Sequence, residues 1–229
     1  MKRILLWGGG TQSFICENFL LNNRLKIDKK KFKISFVYDS SLKKLSYNTS
    51  AKFINNPSEI KQIIKKTDSF MVCIGGSKLK AKKYISLKLK SHGLNPVSFI
   101  CKSSYVDKNV NLGVGNIISE FAKIMSGSYI GNFNLINNSA QIGHMVTIKN
   151  FVHVAPMANI LGRCFIDDEV YVGASATILP DLVIGKGSII AEGAVVTKSI
   201  SPGSHVAGIP AKKKHFKSHK LFNFVNKEL

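Results

Sequence analysis

The sequence predicts a parallel β-helix preceded by a small α/β unit, and two observations carry that expectation. From residue 100 to residue 196 every sixth position is Ile, Leu or Val without exception, from Ile100, Val106 and Leu112 through to Ile190 and Val196. A period of six fits neither a helix nor a flat strand. It fits a coil with three short sides, each giving one aliphatic residue to a common axis. Ahead of residue 100 the chain alternates apolar strand-like runs, glycine turns and helix-like stretches, the pattern of a parallel sheet covered by helices.

Within residues 1–99, Arg3–Trp7 reads as a first strand and Gly8-Gly9-Gly10 as the turn that ends it. Lys2-Arg3 before four apolar residues is too short for a signal-peptide core. Thr11–Asn22 has a helix-like apolar face, Phe32–Tyr38 is a second strand ending in Asp39-Ser40, and Pro57–Lys66 reads as a helix with Ser58 as its N-cap. Phe70–Ile74 is a third strand ended by Gly75-Gly76, Lys78–Lys90 a helix, and Val97–Ile100 a last strand into the coils. This is a small Rossmann-like domain, with a ligand crevice expected at the strand C-termini. The first turn lacks the full GxGxxG pattern because position 13 is Ser, which argues against a complete dinucleotide site. A plain structural turn and a helix N-terminus facing a diphosphate are both compatible with it.

Residues 100–211 form the coils. The residue four beyond the axial position is mostly small or apolar, as at Ala140, Val146, Val152, Ala158, Cys164 and Val170. Gly131, Gly143, Gly173 and Gly185 directly follow axial residues, where a tight corner benefits from a missing Cβ. Residues 212–229 are expected to be a basic tail.

Thirty lysines and only three arginines (Arg3, Arg24, Arg163) stand against thirteen acids, for a net charge of +20. Base and phosphate recognition lean on arginine, and no nucleic-acid-binding motif is present, so nucleic acid is not expected as a partner. A basic field does attract small polyanions. No apolar run approaches a membrane span, and four scattered cysteines without a CxxC read as buried thiols of a reducing, cytoplasmic compartment.

Two histidines stand on the coils off the axial positions: His144 in Ile142-Gly143-His144-Met145, and His153 in Phe151-Val152-His153-Val154-Ala155-Pro156. They resemble a pattern of bacterial sugar O- and N-acyltransferases of the NeuD/PglD type, in which an (N/G)HD- or NHE-like segment precedes a (Y/F)VHIAP-like segment by nine residues. Ile178-Leu179-Pro180, Gly203–Gly208 and Ile209-Pro210-Ala211-Lys212 resemble that family's closing coils. The likeness spans nearly the whole chain. It implies the left-handed parallel β-helix of hexapeptide-repeat acyltransferases, whereas general chirality rules alone favour right-handed crossovers.

By that resemblance His144 is the catalytic general base toward the acceptor, a role that suits a neutral imidazole. His153, Gly162, Ala174 and Glu192 match the acyl-CoA side, and Gly10, Thr11, Gln12, Asp39, Ser40, Gly75 and Asn137 match positions that bind the acceptor sugar or its nucleotide. Two departures stand out: Met145 replaces the Asp or Glu that usually follows the histidine, and Thr11-Gln12 replaces a Gly-His.

The implied reaction is transfer from acetyl-CoA, or another short acyl-CoA, to the amino group of a nucleotide-linked deoxyamino sugar for surface glycan synthesis, without a metal. O-acetylation of a sialic-acid-like sugar and a non-catalytic trimeric scaffold are the alternatives. A zinc hydratase on such coils would need three converging imidazoles, and the coil histidines are widely spaced. Six residues turn the coil by about a third, so His144 and His153 fall on different sides of one prism, and a shared site would lie across a subunit boundary. The resemblance implies that the assembly is a homotrimer.

Overall fold

The computed structural model describes residues 1–22, 32–76 and 78–214. The chain divides into two compact units at residues 99/100. Of the expected tail 212–229, Lys212–Lys213 form the last strand of the coils, and residues 215–229 lie outside the described residues.

The first unit is a five-stranded parallel sheet in the order β3-β2-β1-β4-β5. Its strands are β1 (Lys2–Trp7), β2 (Phe32–Tyr38), β3 (Lys52–Ile54), β4 (Ser69–Val72) and β5 (Asn95–Pro96). Helices α1 (Thr11–Leu21), α2 (Ile60–Lys65) and α3 (Leu79–Ser91) connect them. β1 is buried from Ile4 to Trp7 and β4 throughout, as expected of central strands covered on both faces. The strand order reverses between β1 and β4, which opens a crevice at their C-terminal ends.

One strand is added to the expected set and two local expectations are corrected. β3 is a three-residue strand too short to show a period. The expected helix 57–66 opens with a 3₁₀ turn over Pro57–Glu59, and its cap is Asn56, whose Oδ1 accepts from the Ser58 N–H at 3.0 Å; Ser58 is not the cap. Of the expected strand Val97–Ile100 only Phe99–Ile100 is a strand, opening the coils; β5, which pairs with β4, ends just before it at Pro96.

The second unit is a left-handed β-helix of two-residue strands. Three ladders form its faces. One of six strands runs from Tyr105–Val106 to Val195–Val196, one of five from Asn111–Leu112 to Val183–Ile184, and one of eight from Phe99–Ile100 to Lys212–Lys213. Pairing is parallel with an 18-residue step, as in Ile124↔Ile142↔Ile160↔Ile178, until the last two strands, where His205–Ala207 pairs in parallel at a 16-residue step and Lys212–Lys213 pairs antiparallel. The axial residues from Ile118 to Val196 are fully or almost fully buried, and the small residues four further on fill the space between them.

The corner glycines need their missing Cβ, as expected, and the reason is the neighbouring coil and not a left-handed backbone. Gly131, Gly143, Gly173 and Gly185 are not at positive φ. A Cβ on Gly173 would meet the backbone nitrogen of Glu192 at 2.5 Å, and one on Gly143 that of Gly162 at 2.8 Å, so these glycines let successive coils approach. The left-handed residue comes two positions later and is mostly not glycine: Met145 (φ 56), Arg163 (φ 60), Asp181 (φ 61). Such residues carry strain. Each donates its N–H to the carbonyl 19 residues back, as Met145 to Ser126 (3.0 Å) and Arg163 to His144 (2.9 Å). Side-chain ladders fix the same register. Asn150 Oδ1 accepts from Asn132 N–H, Asp168 Oδ1 from Asn150 N–H, and buried Asn134 Oδ1 from Val152 N–H.

Gly173→Ala therefore pushes backbone against backbone and is expected to destabilise the chain by about 1–3 kcal/mol. Chemical denaturation of the variant checks this; an unchanged midpoint and slope would show that the coils tolerate wider spacing.

Candidate active site

The first unit's crevice is a pocket of about 410 Å³ whose walls include Trp7, Gly8, Asp39, Cys73 and Lys78. Gly8 has φ +107, and a Cβ there would stand 2.9 Å from the Cys73 carbonyl oxygen. Of the residues expected for the acceptor, Gly10, Asp39, Ser40 and Gly75 line this pocket. Thr11 and Gln12 open α1 beside it, and Gln12 Nε2 reaches Cys16 Sγ at 3.9 Å. Asp39 organises the loop: its Oδ2 accepts from Gly9 N–H (2.8 Å), and its Oδ1 from the N–H (3.0 Å) and hydroxyl (2.6 Å) of Ser41. The carboxylate thus holds the glycine turn against the end of β2, and any ribose contact would come in addition.

On the coils, the expected residues fall on two edges of the prism. His144 lies on the edge between the six- and five-stranded ladders. It is exposed, and its ring rests on Gly162, the residue one coil on: a Cβ at Gly162 would stand 2.5 Å from the imidazole Cε1 and 2.7 Å from Nε2. Gly162 is a seat for the histidine whatever else it touches. The same edge stacks Met145, Arg163 and Asp181 in one column. Arg163 Nη1 is 3.3 Å from His144 Nε2, while its Nε and Nη2 donate to Asp181 Oδ1 (2.6 Å) and Oδ2 (2.7 Å). That paired guanidinium lowers the Asp181 carboxyl below its usual value.

Asn137, Ala174 and Glu192 belong to the edge between the eight- and six-stranded ladders. Asn137 Oδ1 accepts from Asn138 N–H (2.9 Å), and the Ala174 carbonyl from Gly193 N–H (2.8 Å). His153 stands on the adjoining eight-stranded face, and here the surface position expected for it is corrected. It points away from the axis, yet it is only 5% exposed, in an outward row where Ile117 and Leu135 are also buried. Tyr171, one coil on, meets its ring edge-on at 5.1 Å and donates its hydroxyl to Glu192 Oε1 at 3.1 Å. Burial, and then the Glu192 carboxylate, push the Tyr171 phenol up to about 12, so it stays a donor at neutral pH.

Within one chain the structure brings His153 and Glu192 together through Tyr171, and His144 together with Gly162. The two histidines stand apart, His144 on the edge between the six- and five-stranded ladders and His153 on the eight-stranded face, which that edge does not border. The sequence reading missed Tyr171, Arg163 and Asp181. The 18-residue step could have found all three, since Tyr171 is one coil beyond His153 and Asp181 one coil beyond Arg163. Among the described residues no group of three or more His, Cys, Asp or Glu is placed to hold a metal ion, and no helix is long and apolar enough to cross a membrane.

Residues 163–198 match the family described as bacterial transferase hexapeptide (six repeats). The chain is 51% identical over 49 residues to 2,3,4,5-tetrahydropyridine-2,6-dicarboxylate N-acetyltransferase of Clostridium perfringens; the match covers 21% of each protein. The chain thus spans about a fifth of the length of the curated relatives it matches. Among solved structures it is similar to a histidine variant of perosamine N-acetyltransferase from Caulobacter crescentus in complex with CoA and GDP-perosamine. The TM-score there is 0.81, with 20% identity, over 94% of this chain and 98% of that one. The acetyltransferase domain of PglB from Neisseria gonorrhoeae gives 0.82 with 19% identity over 93% of this chain and all of that one. WeeI from Acinetobacter baumannii gives 0.77 with 23% identity and the same coverage. At these identities the likeness is one of fold, and it extends through both units.

Beneath the crevice lies a buried basic group. Lys82 of α3 is 1% exposed, and burial pushes its ammonium down to about 8 while the neighbouring thiols of Cys73 and Cys16 pull the other way. Burial also pushes the Cys73 thiol well up, aided by its contact with Cys16. Below pH 8 the lysine is charged in both the folded and the unfolded chain, and folding carries the full cost of burying that charge. Between about 8 and the usual 10.5 the unfolded chain holds the extra proton, so this group's contribution to stability rises with pH. Lys82→Met is expected to stabilise the protein at pH 7 by roughly 3 kcal/mol, a gain that fades toward pH 10. Denaturation of both proteins at several pH values checks this, and a pH-independent difference would contradict it.

Proposed function

We propose that the protein is an acyl-CoA-dependent N-acyltransferase that acylates the amino group of a nucleotide-linked deoxyamino sugar, with acetyl-CoA as donor, in surface glycan synthesis. The observation that carries this reading is the pairing of two features in one chain. One is a doubly wound unit with a glycine-walled crevice at its switch point. The other is a set of hexapeptide coils bearing an exposed histidine on a glycine seat. Solved acetyltransferases with the same two-part fold, one of them bound to CoA and GDP-perosamine, support it.

In this reading the nucleotide occupies the first unit's pocket. Gly10, Thr11 and Gln12 present the N-terminus of α1 to the diphosphate, with Asp39, Ser40 and Gly75 around it and the Lys78 ammonium in the same wall. The sugar amine attacks the thioester carbonyl: the C–N bond forms, the C–S bond breaks, and the amine's proton passes by way of His144 to the departing sulfur. Asn137 stands on the acceptor side. His153, held through Tyr171 and Glu192, together with Gly162 and Ala174, stands on the acyl-CoA side. Because His144 stands on an edge that does not border the His153 face of the same prism, the complete site in this reading takes its two halves from neighbouring copies of a homotrimer. A cytoplasmic location fits the supply of acetyl-CoA and nucleotide sugars.

The test is thiol release from acetyl-CoA with a panel of UDP-, dTDP- and GDP-linked amino sugars, followed by mass analysis of the product. Turnover with an acetylated amine is expected for at least one acceptor; no turnover with any of them would overturn the reading. On the active acceptor His144→Ala is expected to lower kcat by about 10²-fold, the low end for a lost general base. His153→Ala should mainly raise the KM for acetyl-CoA. Two fully active variants would remove the site assignment.

A further inference from the structure

The His144 edge poses a chemical question that Met145 sharpens. A general base needs a lone pair on the nitrogen that faces its substrate, and a neutral imidazole carries one lone pair and one N–H. A carboxylate beside one ring nitrogen would set that choice by accepting its N–H. Position 145 supplies no carboxylate, and Met145 is an exposed corner residue at φ 56. The polar group that meets the ring is instead Arg163, whose Nη1 stands 3.3 Å from Nε2.

Arginine has only donors and keeps its proton at any working pH. Its approach to Nε2 therefore requires the lone pair to be on Nε2 and the ring proton on Nδ1. Asp181 makes the arginine a fixed part of the edge: it grips Nε and Nη2 in a planar two-point pair and leaves Nη1 to the histidine. The backbone reinforces the arrangement, because Arg163 N–H donates to the His144 carbonyl at 2.9 Å and Asp181 N–H to the Gly162 carbonyl at 3.1 Å. All four residues are thus locked to one another by the 18-residue coil step. Arg163 and Asp181 are both solvent-exposed, so their pairing is a weak source of stability. Its geometry has consequences for the imidazole all the same.

We propose that Arg163, held by Asp181, is a positioning residue that sets the tautomer of His144, with the proton on Nδ1 and the receiving lone pair on Nε2. This rests on the acyltransferase reading for its catalytic meaning, though not for its structural content. An incoming amine replaces the long Nη1 contact as donor to Nε2, while the two-point grip of Asp181 retains the guanidinium on the edge. The amine's proton then goes to Nε2 as the C–N bond forms, and from there to the leaving sulfur. An arginine acting on the base nitrogen itself thus gives the same tautomer that a carboxylate would give from the other side of the ring.

The test is nitrogen NMR of the full-length protein labelled with ¹⁵N-histidine, at about pH 8.5, roughly two units above the usual imidazole value. The His144 signals are assigned from their loss in His144→Gln. The expected wild-type spectrum has a protonated Nδ1 and an unprotonated Nε2. Arg163→Met should shift the population toward the Nε2–H form, and Asp181→Asn, which loosens the grip without removing the arginine, should do so partly. On an active acceptor Arg163→Met should lower kcat by about 10-fold or more with the KM for acetyl-CoA unchanged. A wild-type spectrum with the proton on Nε2, or spectra unmoved by both variants, would overturn the proposal. If no amino-sugar nucleotide supports turnover by the wild type, the acyltransferase reading fails, and the nitrogen spectra still decide the tautomer.

Discussion

The structure of the second unit depends on one constraint, the 18-residue step between paired strands. It arises because each side of the coil is one hexapeptide long and each hexapeptide gives one β-branched or leucine side chain to a dry axis. A shift by one residue would bring polar neighbours to the axis and expel a full row of isoleucines and valines. Everything distinctive on the outside follows from that inner bookkeeping. Side chains 18 apart lie above one another, and those 19 apart are joined by a corner hydrogen bond. His144 rests on Gly162 and meets Arg163 for these reasons, and Tyr171 reaches His153 in the same way. The backbone of such an edge is held by ladders paired on both sides, while its exposed side chains keep their rotamer freedom.

The same register explains why the corners accept residues that seldom take positive φ. Phe, Met, Arg, Glu and Asp occupy left-handed positions where asparagine or glycine would be expected. The strain is offset locally by the N–H bond to the coil below and by the aliphatic residue three positions earlier, already anchored in the core. Glycine is needed elsewhere, where one backbone crosses close over another. At His144 both requirements meet: Gly143 lets the coil approach Gly162, and Gly162 in turn leaves room for the imidazole. The first unit works by a different principle. Its crevice comes from the reversal of strand order between β1 and β4, and its shape from Asp39 drawing the glycine turn toward β2.

Much of this was legible in the sequence, and the reasons for success and failure are physical. The axial period and the alternation of strands and helices are written in hydrophobic residues, whose burial is decided by pattern alone. The two histidines, the glycine turn and Asp39 were legible through their motifs and spacing. The burial of His153 was not, because an outward position says nothing of what covers it. β3 was missed because three residues cannot display a period, and the Ser58 cap was misplaced because Asn56 offers an equally good oxygen two residues earlier. The Arg163–Asp181 pair was hidden for another reason. Six-residue spacing identifies the core, whereas edge chemistry is organised by the full turn of eighteen.

The central claim is that the coil register, by seating His144 on Gly162, makes the reactive edge. The most direct measurement is the steady-state turnover of Gly162→Ala, together with its melting temperature. The added methyl meets the imidazole, a side chain that can swing away, and not backbone. The account predicts a folded protein with a nearly unchanged melting temperature, a kcat reduced toward that of His144→Ala, and a KM for acetyl-CoA changed far less. A fully active Gly162→Ala enzyme of the same stability would contradict it.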